Sequence, residues 1–291
     1  MLMVTGATGQ LGRGVVSHLR RSNLEGDFTI LARDAAKAAR FVDVPVRLAD
    51  FDDPASLPPA FAGVSTLLLI STMSMNRAHQ QRQVVDAAVA AGVEHIVYTG
   101  LAIRDIASSE VRDIMSSHFE TEDHITASGV GYTFLRNTMY AEAIRDIVSP
   151  ALRDGSFSLP GGAGRVPYVL RAELAEAAAN VLIDGGHENR TYTLTADRSW
   201  SYAEVASALS ELVSTPVEYR DVSADEFTSM LAGTGMPEFA RHLTAGTVAD
   251  IKDGQYEVVS SDLTALLGRR PRGLPAMLSE LYQGALAESG V

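Results

Sequence analysis

Thr5-Gly6-Ala7-Thr8-Gly9-Gln10-Leu11-Gly12 follows an apolar run from Met1 to Val4 and leads at once into a helical pattern. Strand, tight glycine turn and helix start, in that order, bring backbone N–H groups and the positive end of a helix dipole to one point, where a diphosphate can sit. Glycine alone punctuates many loops, and the spacing Gly6, Gly9, Gly12 departs from G-x-G-x-x-G. Context carries the reading. The turn comes straight off a strand and opens a helix, Gly12 to Arg20, with Leu11, Val15, Val16 and Leu19 at core-facing spacing. Gly6, Thr8, Gly9, Gln10, Leu11 and Gly12 are therefore expected to cradle a dinucleotide.

Phe28 to Ala32 reads as the second strand and ends in Arg33-Asp34, about twenty residues past the glycines, where such folds meet the adenosine ribose. A carboxylate there suits the 2′-hydroxyl of NAD and a cation the 2′-phosphate of NADP. Arg33 points to NADPH, with Arg13 and Lys37 near enough in sequence to add positive charge. The other reading leaves Arg33 as a solvated charge and gives an NAD ribose to Asp34. Val44 to Phe51 supplies a third strand, whose Asp50 either accepts from the adenine amino group or caps the turn at Asp53-Pro54.

Thr66 to Ile70 is continuously apolar, as a strand buried on both faces should be, and delivers Ser71, Thr72 and Met73 to its carboxyl end. A helix from Arg77 to Ala91, a strand His95 to Thr99, a helix from about Ser116 to Ser128 and a strand Tyr132 to Asn137 complete the alternation. This order implies an α/β fold with a doubly wound (Rossmann) parallel sheet, whose ligands gather at the strands' carboxyl ends. Ser71, Thr72, Thr99 and Asn137 share that edge.

Residues 1–150 are expected to form the dinucleotide-binding domain, with a returning helix and strand near 171–195. Residues 151–291 then form a smaller, mixed lobe over the substrate. Its signals are a glycine-rich loop or hairpin from Gly155 to Val166, a helix Arg171 to Ile183, a strand Thr191 to Leu194 and a capping box Ser201/Glu204 before the helix Tyr202 to Leu212. A short strand Val217 to Arg220, a helix Ser223 to Leu231 and terminal helical segments follow.

A chain of 291 residues with 46 % hydrophobic content can bury a sizeable core. It has no cysteine, and its histidines lack metal-ligand spacing, so no disulfide, thiolate or metal chemistry is expected. A net charge of −12, with no basic cluster beyond Arg269-Arg270-Pro271-Arg272, argues against nucleic acid as a partner. No leader-like or membrane-length apolar stretch is seen, which points to a cytoplasmic protein without a membrane partner. A homodimer is left open.

Several segments together resemble the NmrA-like group of atypical short-chain dehydrogenases/reductases: TGATGQLG, LAR at Leu31 to Arg33, VYTG at Val97 to Gly100, HFETE at His118 to Glu122, FLRNTMY at Phe134 to Tyr140, GHENRTYTL at Gly186 to Leu194, and SDL…LLG near Ser261 to Gly268. Their order and spacing are most similar to its quinone-reducing and dye-reducing branches. The resemblance implies NADPH binding and two-electron reduction of a small conjugated acceptor.

The wider superfamily places a tyrosine four residues before a lysine, which lowers the phenol's pKa for proton exchange. Here the lysines are Lys37 and Lys252, and neither follows a tyrosine at that spacing. The likeness puts His118 in the lysine slot, where it would hold the nicotinamide ribose, donate a proton, or serve only as a polar residue at a helix start. Tyr140 is a candidate to stack on or hydrogen-bond the acceptor, with Met73, Met75 and Met139 as pocket wall. Hydride addition to a quinone gives a delocalised product that can take its proton from water, so positioning alone could suffice. Two alternatives stand beside this: an NADP(H)-binding redox sensor without chemistry, and a reductase of a specific ketone or enone with Tyr98, Tyr168 or His118 as acid.

Overall fold

The computed structural model describes residues 1–22 and 27–289. In chain order the elements are β1 (Leu2–Val4), α1 (Gln10–Arg21), β2 (Phe28–Ala32), α2 (Ala35–Ala38), β3 (Val46–Leu48), α3 (Leu57–Phe61), β4 (Thr66–Leu69), α4 (Arg77–Ala90), β5 (His95–Leu101), α5 (Arg112–Ala127), β6 (Gly131–Asn137), α6 (Glu142–Asp154), β7 (Ser156–Leu159) and β8 (Arg165–Val166). They continue with α7 (Arg171–Asp184), β9 (Arg190–Leu194), β10 (Trp200–Ser201), α8 (Tyr202–Val213), β11 (Glu218–Asp221), α9 (Ala224–Ala232), α10 (Glu238–Lys252), α11 (Asp262–Leu267) and α12 (Leu274–Ser289). None of the described helices is long and apolar enough to cross a membrane.

The chain divides into two compact units. The first comprises Met1–Leu101, Ser116–Asn137 and Arg171–Thr193, and holds the doubly wound sheet expected from the sequence. Its strand order is β3-β2-β1-β4-β5-β6-β9, and β1 pairs in parallel with both β2 and β4. The order therefore reverses between β1 and β4, the switch point beyond whose carboxyl ends the ligand crevice of a doubly wound fold lies. Met3, Leu31, Leu67, Leu69, Ile96 and Phe134 make the sheet's side of a core completed by Val84, Val85 and Ala88 of α4. Continuous apolar strands are what burial on both faces demands.

Two glycines let α1 sit where it does. A Cβ at Gly12 would lie 2.3 Å from the Gly6 carbonyl oxygen, and one at Gly14 would lie 2.6 Å from the Ala175 Cβ of α7. Hydrogen in place of a side chain permits both approaches. The third strand is shorter than Val44 to Phe51: only Val46–Leu48 pairs, at the sheet's edge, where Val46 and Leu48 face outward and exposed. An edge strand has neighbours on one side only, so apolar character alone does not extend it.

The second unit comprises Ala102–Met115, Thr138–Leu170 and Leu194–Val291. Residues 102–115 and 138–150 join it rather than the sheet, and α6 runs through Pro150, so it is comparable in length to the first. The glycine-rich run is not a hairpin. Its strand β7 pairs with β11 and its strand β8 with β10. Between them Gly161 lies against the Tyr202 ring and Gly164 against the Ile251 carbonyl, approaches that exclude any Cβ. The capping box is present in full, with Ser201 and Glu204 satisfying each other's backbone N–H at the start of α8.

Asp250, buried on α10, pins the 102–115 segment. One carboxylate oxygen accepts from the Ser109 hydroxyl at 2.6 Å and the other from the Glu110 N–H at 2.8 Å. Replacing Asp250 with alanine strands both donors in the interior. Urea denaturation of Asp250→Ala should show an unfolding free energy lower by about 2–3 kcal/mol, whereas an exposed control such as Asp225→Ala should change it little.

Candidate functional site

Thr5 sets the crevice. Its N–H donates to the Leu68 carbonyl at 2.9 Å, its hydroxyl to the same oxygen at 3.1 Å, and its Oγ1 accepts from the Ile70 N–H at 3.0 Å. With β1 and β4 tied at their ends, the chain turns at once through Gly6, whose φ of +62° suits glycine. Gly9 is the N-cap of α1; it lends no side-chain cap, and the first turn carries no acid. The amides of Gln10, Leu11 and Gly12 thus begin a 12-residue helix whose positive end is open to an anion. The Gln10 carboxamide oxygen accepts from the Arg171 guanidinium, which fixes the side chain and leaves the backbone amide as its contribution here. Thr8 is half-buried in the same turn.

At the end of β2, Arg33 is 69 % exposed, and its Nε lies 4.0 Å from Asp50 Oδ2, a loose contact that leaves the guanidinium available. Asp34 is committed elsewhere. Its Oδ1 accepts from the amides of Ala36 and Lys37 and caps α2. That engagement weakens the alternative in which Asp34 holds an NAD ribose. Asp50 Oδ1 accepts from the Asp52 N–H, while Asp53, not Asp50, caps the following turn.

Ser71 and Thr99 meet across the ends of β4 and β5: the Ser71 N–H donates to Thr99 Oγ1 at 2.9 Å. The Thr72 hydroxyl donates to Gln80 Oε1, and Gln80 Nε2 donates to Asp52 Oδ1 at 2.7 Å. Asn137 lies buried at the end of β6, in register with Leu101. The structure thus brings Gly6 to Gly12, Arg33, Asp50, Ser71, Thr72, Thr99 and Asn137 to the carboxyl edge of one sheet. Tyr140 belongs to the second unit, where it forms a parallel bridge with Val169.

His118 is neither at a helix start nor a ready acid. It sits in the second turn of α5, 7 % exposed, with Nδ1 3.0 Å from the Tyr98 hydroxyl. Burial, seconded by the Arg77 charge, lowers its pKa to about 3, so the imidazole is neutral near pH 7. Tyr98 and Tyr168 are sealed in the interior, and burial pushes both phenols up. Near pH 7 the imidazole carries no extra proton to give, and the two phenols, though protonated, are weaker acids than an exposed tyrosine.

Beneath this edge lies a polar layer that the sequence reading did not single out. Arg77 is 1 % exposed, donates from Nε to the Thr72 carbonyl at 2.6 Å and from Nη1 to Ser117 Oγ at 3.2 Å, and has no carboxylate within ion-pair range among the described residues. Gln81, fully buried, contacts Tyr98 and Thr121. The signal was present in Arg77, Gln80 and Gln81, polar residues at helical spacing on the face of α4 that also carries Val84 and Val85.

An open helix start, a glycine approach that any Cβ would fill and an exposed guanidinium at the end of β2 fit NADP(H). The profile of the NmrA-like family matches residues 1–259. Quinone oxidoreductase 2 of Escherichia coli K12 is 35 % identical over 286 residues, covering 97 % of this chain and 99 % of its own. Among solved structures, the NADPH-dependent quinone oxidoreductase of E. coli complexed with NADPH superposes with a TM-score of 0.91 at 34 % identity, covering 97 % of this chain and 100 % of its own. The triphenylmethane reductase of Citrobacter sp. complexed with NADP(H) gives 0.89 at 36 % identity, covering 96 % and 99 %. The glycine turn at the switch point, the strand order around it and these matches along nearly the whole length place the chain in the NmrA-like family.

Proposed function

We propose that this protein is an NADPH-dependent reductase that delivers hydride to a quinone or a related conjugated acceptor. The observation that carries the reading is Arg33, open at the end of β2 while its neighbour Asp34 caps a helix. A planar guanidinium can take a 2′-phosphate through two hydrogen bonds, and the amides that start α1 take the diphosphate. Similarity to quinone- and dye-reducing relatives supports the acceptor class.

Bound NADPH supplies the hydride, and a quinone that takes it together with one proton becomes the hydroquinone. Ketone reduction needs an acid poised at a developing alkoxide. This chain has no Tyr-Lys pair, its His118 is neutral and its Tyr98 phenol is buried. A quinone spreads the arriving charge over the ring and accepts its proton from water, so the residues' work is to bind and orient. Ser71, Thr72, Thr99 and Asn137 bound the nicotinamide end, and His118 holds the ribose as a neutral group.

Purified protein with NADPH and a panel of quinones and cationic dyes should bleach the reduced-cofactor absorbance. No turnover with any of them would count against the assignment. Arg33→Ala should weaken NADPH binding by about ten- to a hundredfold in calorimetry and leave NADH little changed; equal losses would remove the 2′-phosphate contact. With His118 neutral well below its ordinary pKa, quinone reduction should show no inflection near pH 6.5 attributable to this residue, and a bell centred there that vanishes in His118→Gln would restore it as an acid.

A further inference from the structure

Four side chains in the buried layer under the sheet edge do not distribute their protons as they stand. Gln81 turns Oε1 toward two hydroxyls, Tyr98 at 3.1 Å and Thr121 at 2.7 Å, while its Nε2 is buried without a partner among the described residues. The Thr121 hydroxyl is also 2.8 Å from the Ser117 carbonyl, and the Tyr98 hydroxyl 3.0 Å from His118 Nδ1. Thr121 has one proton for two acceptor oxygens. One of those short contacts is therefore oxygen against oxygen with nothing between, and two amide hydrogens go unused on a fully buried side chain.

The two ends of a carboxamide have nearly the same shape, so proton count rather than fit decides which end faces the hydroxyls. Turned over, Gln81 Nε2 donates one hydrogen to Tyr98 and the other to Thr121. Thr121 is then free to donate to the Ser117 carbonyl, and Tyr98 to donate to His118 Nδ1. Each of the four contacts then holds one proton, and the group left over is a carbonyl oxygen, less costly to leave unpaired than an N–H.

We infer that Gln81, acting through the Tyr98 hydroxyl, holds His118 in the tautomer that carries its proton on Nε2, so that the ring offers a fixed neutral N–H donor. Gln81 and Tyr98 are positioning residues in this arrangement. Nδ1 is spent inward on Tyr98, and Nε2 is not among the sealed, unpartnered atoms of the described residues. An N–H donor suits a hydroxyl or carbonyl oxygen of the ligand, such as a ribose hydroxyl; a bare ring nitrogen would suit only a donor. The ligand contact rests on the proposed function, whereas the tautomer does not.

The test is two-bond ¹H–¹⁵N spectroscopy of uniformly labelled, cofactor-free protein, with the His118 signals assigned by their loss in His118→Gln. The expected pattern is a pyridine-type Nδ1 and a pyrrole-type Nε2, unchanged from about pH 5 to about pH 8. The reverse pattern overturns the inference. Tyr98→Phe, checked for folding by its thermal melt, should give a tautomer mixture; retention of pure Nε2–H there would remove Tyr98 and Gln81 as the cause. Glutamine can place an amide N–H near Nε2 and asparagine near Nδ1, so His118→Gln should keep NADPH affinity better than His118→Asn. A wild-type Nε2–H pattern with equal affinity in both variants would uphold the tautomer and sink the proposed ligand contact.

Discussion

The Thr5 side chain is the constraint from which the rest of the site follows. By donating to the Leu68 carbonyl and accepting from the Ile70 amide, one hydroxyl locks β1 to β4 at the point where the sheet's order reverses. The chain leaving β1 then has no room for a gradual bend, and Gly6 turns it in a left-handed conformation. The helix that follows starts so close to this turn that Gly12 must present hydrogen to the Gly6 carbonyl. An uncapped helix start at the crevice is the geometric result, and anion binding is its electrostatic one.

Much of this was legible in the sequence because the rules behind it are local. A glycine turn between an apolar strand and an amphipathic helix, a cation at the end of the second strand and a Ser201/Glu204 box each declare themselves within a few residues. The polar layer was not legible in the same way. Arg77 meets Ser117 and Gln81 meets Tyr98 and Thr121 only after the sheet has brought α4, β5 and α5 together. The same holds for Gly155 to Val166, whose glycines read as a loop or short hairpin but serve close passage past Tyr202 and Ile251. Asp250 gave no local sign of gripping Ser109, 141 positions earlier in the chain.

The site's titratable groups are arranged for silence rather than acid–base work. His118 is neutral, and Tyr98 is buried with its phenol pushed up. What a Tyr-Lys pair would do by proton transfer is given up, and the acceptors left to such a site are those whose reduced form does not demand an acid at the moment of hydride arrival. On the function proposed above, cofactor choice rests on Arg33 and acceptor choice on the absence of a Tyr-Lys pair, two separate features of the chain.

Arg33 and Arg77, both of the first unit, also differ in how they respond to dissolved ions. The guanidinium of Arg33 stands in solvent, where counter-ions gather within a Debye length and blunt its attraction for phosphate. Arg77 is enclosed, so mobile ions cannot approach it closely, and its field on the His118 ring reaches through protein rather than electrolyte. Ionic strength therefore weakens any anion contact that Arg33 makes while leaving the charge state of the His118 ring as it was.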